Sequence, residues 1–302
     1  MKKFIIDKEK ENKINFLILR LKKKFLSKFY KLFNISIKYK FKYFSILLPA
    51  DHSLPLYSIV NKNYDRFLPN LVKHLTHTDT VIDIGANVGD TLASMIEKNT
   101  KPNYVCIEAD DYFYNYLKKN LAIIRKSVKN TKIQIIKTFI GKNIKNVYLE
   151  GKDGTKKAII NKNGNIKNLP LDEVIPKKSK IRILKSDVDG FDYDILNSSM
   201  NIIKKNKPLI FFEYFLDYRY QRQGYSDVLK KLKKLGYKNW IVFDNFGTVI
   251  LRSDKLNIIE YLGNYLYLQK INKATRTIYC YDILTYTNKD SKLINKIINN
   301  YY

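Results

Sequence analysis

One short stretch, Thr80 to Leu92, constrains the fold of this chain more than any other. Thr-Val-Ile-Asp-Ile-Gly-Ala-Asn-Val-Gly-Asp-Thr-Leu reads as a buried strand running into a glycine turn that opens a helix. Val81, Ile82 and Ile84 are β-branched, which suits a central parallel strand covered on both faces. Asp83 interrupts them, and a carboxylate inside such a run is costly unless it meets a ligand or a hydrogen-bond donor. Gly85 and Gly89 let a ligand lie close to the backbone at a helix N-terminus, where N–H groups accept anions. Strand, acid, glycine turn and helix together describe a nucleotide-type cofactor site.

The chain beyond this element supports that reading. Asp90 to Glu97 continues as a helix, and Asn103 to Glu108 reads as a second strand ending in acids. Glu108 follows the turn at the distance of about 20 residues at which a carboxylate accepts hydrogen bonds from ribose hydroxyls. A helix over Tyr112 to Ile124 and a third strand over Lys132 to Ile140 come next. Residues 145 to 168, with turns at Asp153-Gly154 and Asn163-Gly164, read as a hairpin inserted into the alternation. The alternation resumes with Leu171 to Ile175, a strand Ile181 to Lys185, a helix Tyr193 to Lys205, a strand Pro208 to Phe212 and a helix Ser226 to Leu235. Strands near Trp240 to Phe243, Thr248 to Leu251 and Thr277 to Leu284 complete it. Such alternation predicts an open, mostly parallel sheet with helices on both faces.

Charge says less than its size suggests. The net charge is +28, yet only eight of the 56 basic residues are Arg, and specific phosphate recognition favours the bidentate guanidinium over the point charge of Lys. The basic residues are also spread rather than gathered into an interface, so nucleic acid is not expected as a partner. Residues 1 to 48 are a distinct basic extension. Leu17, Leu21, Phe25, Phe29 and Phe33 recur every four residues there, with Lys24, Lys28 and Lys31 off the stripe. A helix of this kind lies on an anionic membrane or packs its apolar face on the main domain. Cys106 and Cys280 are far apart and the chain has no zinc spacing, which points to a reducing, cytoplasmic setting with at most peripheral contact at the inner face of a membrane. No apolar stretch is long enough to span a bilayer.

Ligands of open α/β sheets bind beyond the carboxyl ends of the strands, and acids gather there. Lys185-Ser-Asp-Val-Asp-Gly-Phe-Asp follows one strand, placing Asp187, Asp189 and Asp192 around Gly190, and Glu213 ends the next. With Asp83 and Glu108, carboxylates terminate four strands.

These segments resemble the FkbM-type methyltransferases. Val81-Ile-Asp-Ile-Gly-Ala-Asn-Val-Gly resembles the family's cofactor loop, Ile107-Glu108 its ribose-binding strand end, Leu171-Asp-Glu its short leucine-aspartate motif, and Lys185 to Asp192 its pattern Lys-Ile-Asp-Val-Glu-Gly-Ala-Glu. The likeness runs from about Pro49 to Thr285 and departs at Ser186, Asp189, Phe191 and Asp192. It implies a Rossmann-like class I methyltransferase fold, with a mostly parallel seven-stranded sheet, over 49–289, followed by a tail at 290–302. It also implies S-adenosylmethionine as methyl donor and the hydroxyl of a sugar in a glycan or glycoconjugate as acceptor. On this reading Asp83, Gly85, Ala86, Asn87, Gly89, Glu108, Ala109 and Asp187 contact the cofactor, with the turn's N–H groups meeting its carboxylate. Asp187, Asp189 or His52 takes the acceptor's proton. No metal is expected; a divalent cation held by Asp187, Asp189 and Glu213 is the lesser alternative. Competing readings are an RNA methyltransferase, and a non-catalytic basic module binding membrane or nucleic acid on the same fold.

Overall fold

The computed structural model describes residues 36–61, 63–142, 147–151, 157–160 and 168–301. The amphipathic helix expected between Leu17 and Phe33 lies outside these residues. The described chain opens with an antiparallel hairpin of β1 (Ile37–Lys40) and β2 (Ser45–Leu48). Phe41, Phe44, Ile46 and Leu48 of this hairpin are buried in the main core. Two short helices follow, α1 (Leu54–Val60) and α2 (Phe67–Val72).

The alternating region then begins with β3 (Thr80–Ile84), α3 (Asp90–Lys98), β4 (Asn103–Glu108), α4 (Asp111–Ser127) and β5 (Ile133–Lys137). The insertion comprises β6 (Phe139–Ile140), the antiparallel hairpin of β7 (Val147–Glu150) and β8 (Lys157–Ile160), and β9 (Asn168–Leu169), which pairs in parallel with β6. The third strand is therefore shorter than expected: the chain leaves the main sheet at Thr138. After α5 (Leu171–Val174) come β10 (Ile181–Ser186), α6 (Asp192–Ser198), α7 (Met200–Asn206), β11 (Leu209–Tyr214) and α8 (Arg219–Lys234). The chain continues through β12 (Tyr237–Asp244), β13 (Val249–Ser253), α9 (Leu256–Ile271), β14 (Tyr281–Thr287) and α10 (Ser291–Asn299).

Two helices replace the single one expected over Tyr193 to Lys205. The hydroxyls of Ser198 and Ser199 both donate to the Ile195 carbonyl, a local bond that competes with the helical ladder where α6 gives way to α7.

The main sheet has the order β13-β12-β14-β11-β10-β3-β4-β5. Strands β3, β4, β5, β10 and β11 run parallel, and β14 is reversed between β11 and β12. This is the class I methyltransferase arrangement, with eight strands rather than the seven expected. The extra edge strand, β13, is returned by a tight turn in which the Asp244 carboxylate accepts the backbone N–H of Phe246 and of Thr248. Alternation along the strands sends Val81, Ile183, Leu209, Ile241 and Leu284 to one face, against α2, α3, α4, α10 and the N-terminal hairpin. Ile82, Leu184, Ile210, Val242 and Ile283 go to the other face, against the helices from α5 to α9. Each such side chain, fully buried, contributes about 1.5–3 kcal/mol, so both faces hold the central strands β3 and β10 in place. Among the described residues no helix is long and apolar enough to cross a membrane.

Candidate active site

The carboxyl ends of β3, β4, β10 and β11, with the amino end of the reversed β14, open into one cavity of about 450 Å³, within the range of roughly 300–1,000 Å³ usual for small-ligand sites. Its first wall is the turn after β3. Gly85 (φ +77°), Asn87 (φ +49°) and Gly89 (φ +84°) all take left-handed backbone, which glycine adopts without penalty and Asn tolerates. At Gly85 space also demands glycine, because a Cβ there would lie 1.9 Å from the Asp187 carbonyl oxygen.

The N–H groups of this turn are engaged within the protein. Those of Gly85 and Ala86 both donate to the Ile107 carbonyl, at 3.0 Å each, and that of Gly89 donates to Ala86. The Asn87 N–H donates to Glu108 Oε2 at 2.7 Å, and the Val88 N–H to the Asn87 side chain at 2.8 Å. The positive elements left facing the cavity are the Lys185 ammonium and the first turn of α3, where Asp90 and Thr91 line the wall and the helix dipole favours negative charge.

Glu108 closes this half. Its Oε1 accepts the Asp110 N–H at 2.8 Å, and Asp110 in turn caps α4 by accepting the N–H groups of Tyr112 and Phe113. Burial pushes the Glu108 carboxyl up to about 6, against the pull of these backbone hydrogen bonds. Phe113, Phe139, Ile140 and Ile195 supply apolar surface beside it.

At the seam stands a buried ion pair. Lys185 Nζ is 2.9 Å from Asp83 Oδ1 and 3.5 Å from Asp187 Oδ2. Asp83 is 1% exposed and does not line the cavity. It holds Lys185 toward the opening instead of meeting a ligand at the cavity surface, and its Oδ2 has no partner. Ala86 and Gly89 likewise stand behind the wall, whereas Gly85, Asn87, Glu108, Ala109 and Asp187 line it. The Asp187 side chain is half exposed, and its backbone N–H donates to Ile84.

The far half is acidic. Asp189 (φ +54°) and Gly190 (φ +103°) bend the loop after β10. Beneath the loop, buried Asp192 accepts the Ser186 hydroxyl at 2.5 Å and the Gly190 N–H at 3.4 Å, with burial raising its carboxyl to about 7. Glu213 and Asp282 oppose each other in register on β11 and β14. Burial and neighbouring carboxylates push both well above the usual carboxylate range. Tyr57, Tyr64 and Tyr279 form an aromatic wall there, with the rings of Tyr57 and Tyr64 5.2 Å apart.

His52 lines the cavity, but its Nδ1 accepts the Leu54 N–H at 3.3 Å. In the neutral ring the proton then sits on Nε2. Asp187, Asp189 and Glu213 all reach the cavity, yet among the described residues no group of three His, Cys, Asp or Glu is arranged to hold a metal ion. Asp65, Asp282 and the tyrosine wall did not stand out from the sequence. Asp282 carried the same signal as Glu213, an acid within an apolar strand. Asn120 was also missed: wholly buried on α4, it accepts the Leu47 N–H and donates to the carbonyls of Leu47 and Val88, tying hairpin, helix and glycine turn together.

No curated protein matches the sequence. Among solved structures, the chain is similar to methyltransferase FkbM from Methylobacillus flagellatus KT at 16% identity and a TM-score of 0.41, over 77% of this chain and 50% of that one. It thus spans about half the length of that relative. It is similar as well to precorrin-6y C5,15-methyltransferase from Geobacter metallireducens GS-15 (9% identity, 78% of this chain and 87% of that one, TM-score 0.37). A third is the plantazolicin methyltransferase BpumL, solved in complex with SAH (10% identity, 78% and 89%, TM-score 0.39). The model of the methyltransferase FkbM domain matches residues 83–238, a span that runs from the acid of β3 to the start of β12 and takes in the glycine turn, Glu108, the ion pair and Glu213. By that match, over more than half its length and across this cavity, the chain belongs to the FkbM methyltransferase family.

Proposed function

We propose that the protein transfers a methyl group from S-adenosylmethionine to a hydroxyl of a saccharide, within a cell-surface glycan or glycoconjugate. The observation that carries this reading is the single cavity joining the glycine turn and Glu108 to the carboxylates that follow β10 and β11. The residues present suit the donor. Glu108 offers acceptor lone pairs to ribose hydroxyls, Phe113, Phe139 and Ile140 offer an apolar slot for a base, and the first turn of α3 offers the positive end of its dipole to a carboxylate. When bound, the cofactor supplies a methyl carbon made electrophilic by its sulfonium.

The protein's part is placement and proton removal. Holding an acceptor oxygen in line with that carbon converts a bimolecular encounter into an oriented one. Asp187 is half exposed to the cavity and steadied by Lys185 at 3.5 Å, so it is the base that takes the hydroxyl proton, an effect of about 10²- to 10⁴-fold. The segment around α1 lines the acceptor side through Tyr57.

Calorimetry with S-adenosylmethionine or S-adenosylhomocysteine tests the donor, with binding expected in the intact chain and strongly weakened in Glu108→Ala. Transfer of labelled methyl to glycan, RNA and lipid extracts tests the acceptor. Label confined to RNA or lipid would remove the saccharide reading.

A further inference from the structure

The acceptor end of the cavity carries a charge pattern opposed to that of the chain as a whole. In a protein of net charge +28, Asp65, Asp187, Asp189, Glu213 and Asp282 line this end, and Lys185, the one lysine among the described lining residues, is already paired with Asp83. Bulk composition works against such a cluster, so its placement needs a local cause.

Two of these acids lie away from the cofactor turn. Neighbouring strands are about 4.8 Å apart, so β11 and β14, two and three strands from β3, stand roughly 10 and 14 Å from it. The alternation of side chains puts Glu213 and Asp282 on the same face as Lys185, through the register Lys185 to Phe211 to Leu284. Glu213 is 8% exposed, lines the cavity, and its Oε2 has no hydrogen-bond partner. A buried carboxylate oxygen without a donor is costly to maintain; a ligand carrying N–H groups and positive charge would remove that cost. The rings of Tyr57, Tyr64 and Tyr279 offer faces that attract a cation. A metal ion is the poorer candidate, since no three ligands converge among the described residues.

We infer that this end binds a protonated amine, so that the saccharide acceptor is an amino sugar with a free ammonium group rather than its N-acetylated counterpart. The inference rests on the saccharide reading above and narrows it. The ammonium donates to Glu213 and Asp282, which ionise beside it. Burial first, and the crowding of like charges after it, raises the affinity of both groups for protons in its absence. The cleft also focuses cations toward the site despite the positive surface of the chain.

Titration calorimetry of the full chain at neutral pH, with and without S-adenosylhomocysteine, decides the matter. The probes are glucosamine and galactosamine, each against its N-acetyl twin. The free amines are expected to bind about tenfold tighter or better, as hydrogen bonds to charged groups imply. Glu213→Gln and Asp282→Asn are each expected to erase that difference while keeping S-adenosylhomocysteine affinity within about twofold of the parent, which reports that the variant is folded. Equal binding of amine and N-acetyl forms, or failure of both amines to bind, overturns the proposal. The arm without S-adenosylhomocysteine reads the amine preference by itself, so failure of the cofactor to bind strikes the methyltransferase reading separately.

Discussion

The two halves of the cavity use carboxylates in opposite ways. On the side of the glycine turn, Glu108 and Asp110 accept backbone N–H groups and hold a loop and a helix end in place. On the far side, Glu213 keeps an oxygen without a partner and shares its strand-end position with Asp282. The first pair completes the fold; the second is left for something the fold does not supply. The difference shows that burial of an acid does not by itself say what the acid does: its bonding partners and its access to the cavity have to be read together.

The most severe way to break this contrast is to strike the seam. Lys185→Met leaves Asp83 buried and uncompensated, and loss of one partner of a buried ion pair costs about 3–5 kcal/mol, read as a fall in the denaturation midpoint. Adding Asp83→Leu is expected to restore most of that stability without restoring methyl transfer, which separates the structural role of the pair from its electrostatic one. Gly85→Ala ranks next. The left-handed φ and the 1.9 Å approach to Asp187 together cost about 3 kcal/mol and disturb both halves at once, so calorimetry should show loss of both S-adenosylhomocysteine and amine binding. Asn120→Ala tests the turn side alone. It strands the polar groups of Leu47 and the Val88 carbonyl, at about 2 kcal/mol, and should weaken S-adenosylhomocysteine while leaving amine affinity unchanged; a parallel loss of both would show that the halves are not separable.

The smallest effect comes from pH. The Glu108 carboxyl sits at about 6 in the folded protein against an ordinary value of 4.5. Between these values the folded state holds the extra proton, so this group's contribution to stability grows as pH falls from about 6 to 4.5 and declines as pH rises. Protonation removes an acceptor from the turn, so S-adenosylhomocysteine affinity is expected to fall about tenfold over the same interval. Stability and affinity thus move in opposite directions. In Glu108→Gln the affinity should be low and flat; an unchanged pH profile in that variant would show that another group is responsible.

What could be read from the sequence was what neighbours along the chain determine. The turn after β3 and the position of Glu108 follow from residues a few places apart, and the strand-helix alternation follows from local periodicity. The bond between Lys185 and Asp83 joins residues 102 apart, and only the sheet order makes β3 and β10 neighbours. Asp282 comes to Glu213 through an antiparallel register that no local pattern encodes. Helix α9 was absent from the reading because Leu256, Ile258, Ile259, Leu262, Leu266, Tyr267, Leu268 and Ile271 lie nearly all round it, which erases the helical period on which a prediction depends. The bond from the Leu54 N–H to His52 Nδ1 is a detail of the same kind, which residue type alone does not announce.

The absent Cβ at Gly85 has a mechanical consequence. With its Cα against the Asp187 carbonyl, and the Asp187 N–H bonded to Ile84, the glycine turn and the loop that carries Asp187, the proposed base, behave as one lever. A ligand that shifts the turn by a few tenths of an ångström must carry the Asp187 backbone with it. The separation of the turn from the Asp187 loop is then governed by contact between two main chains.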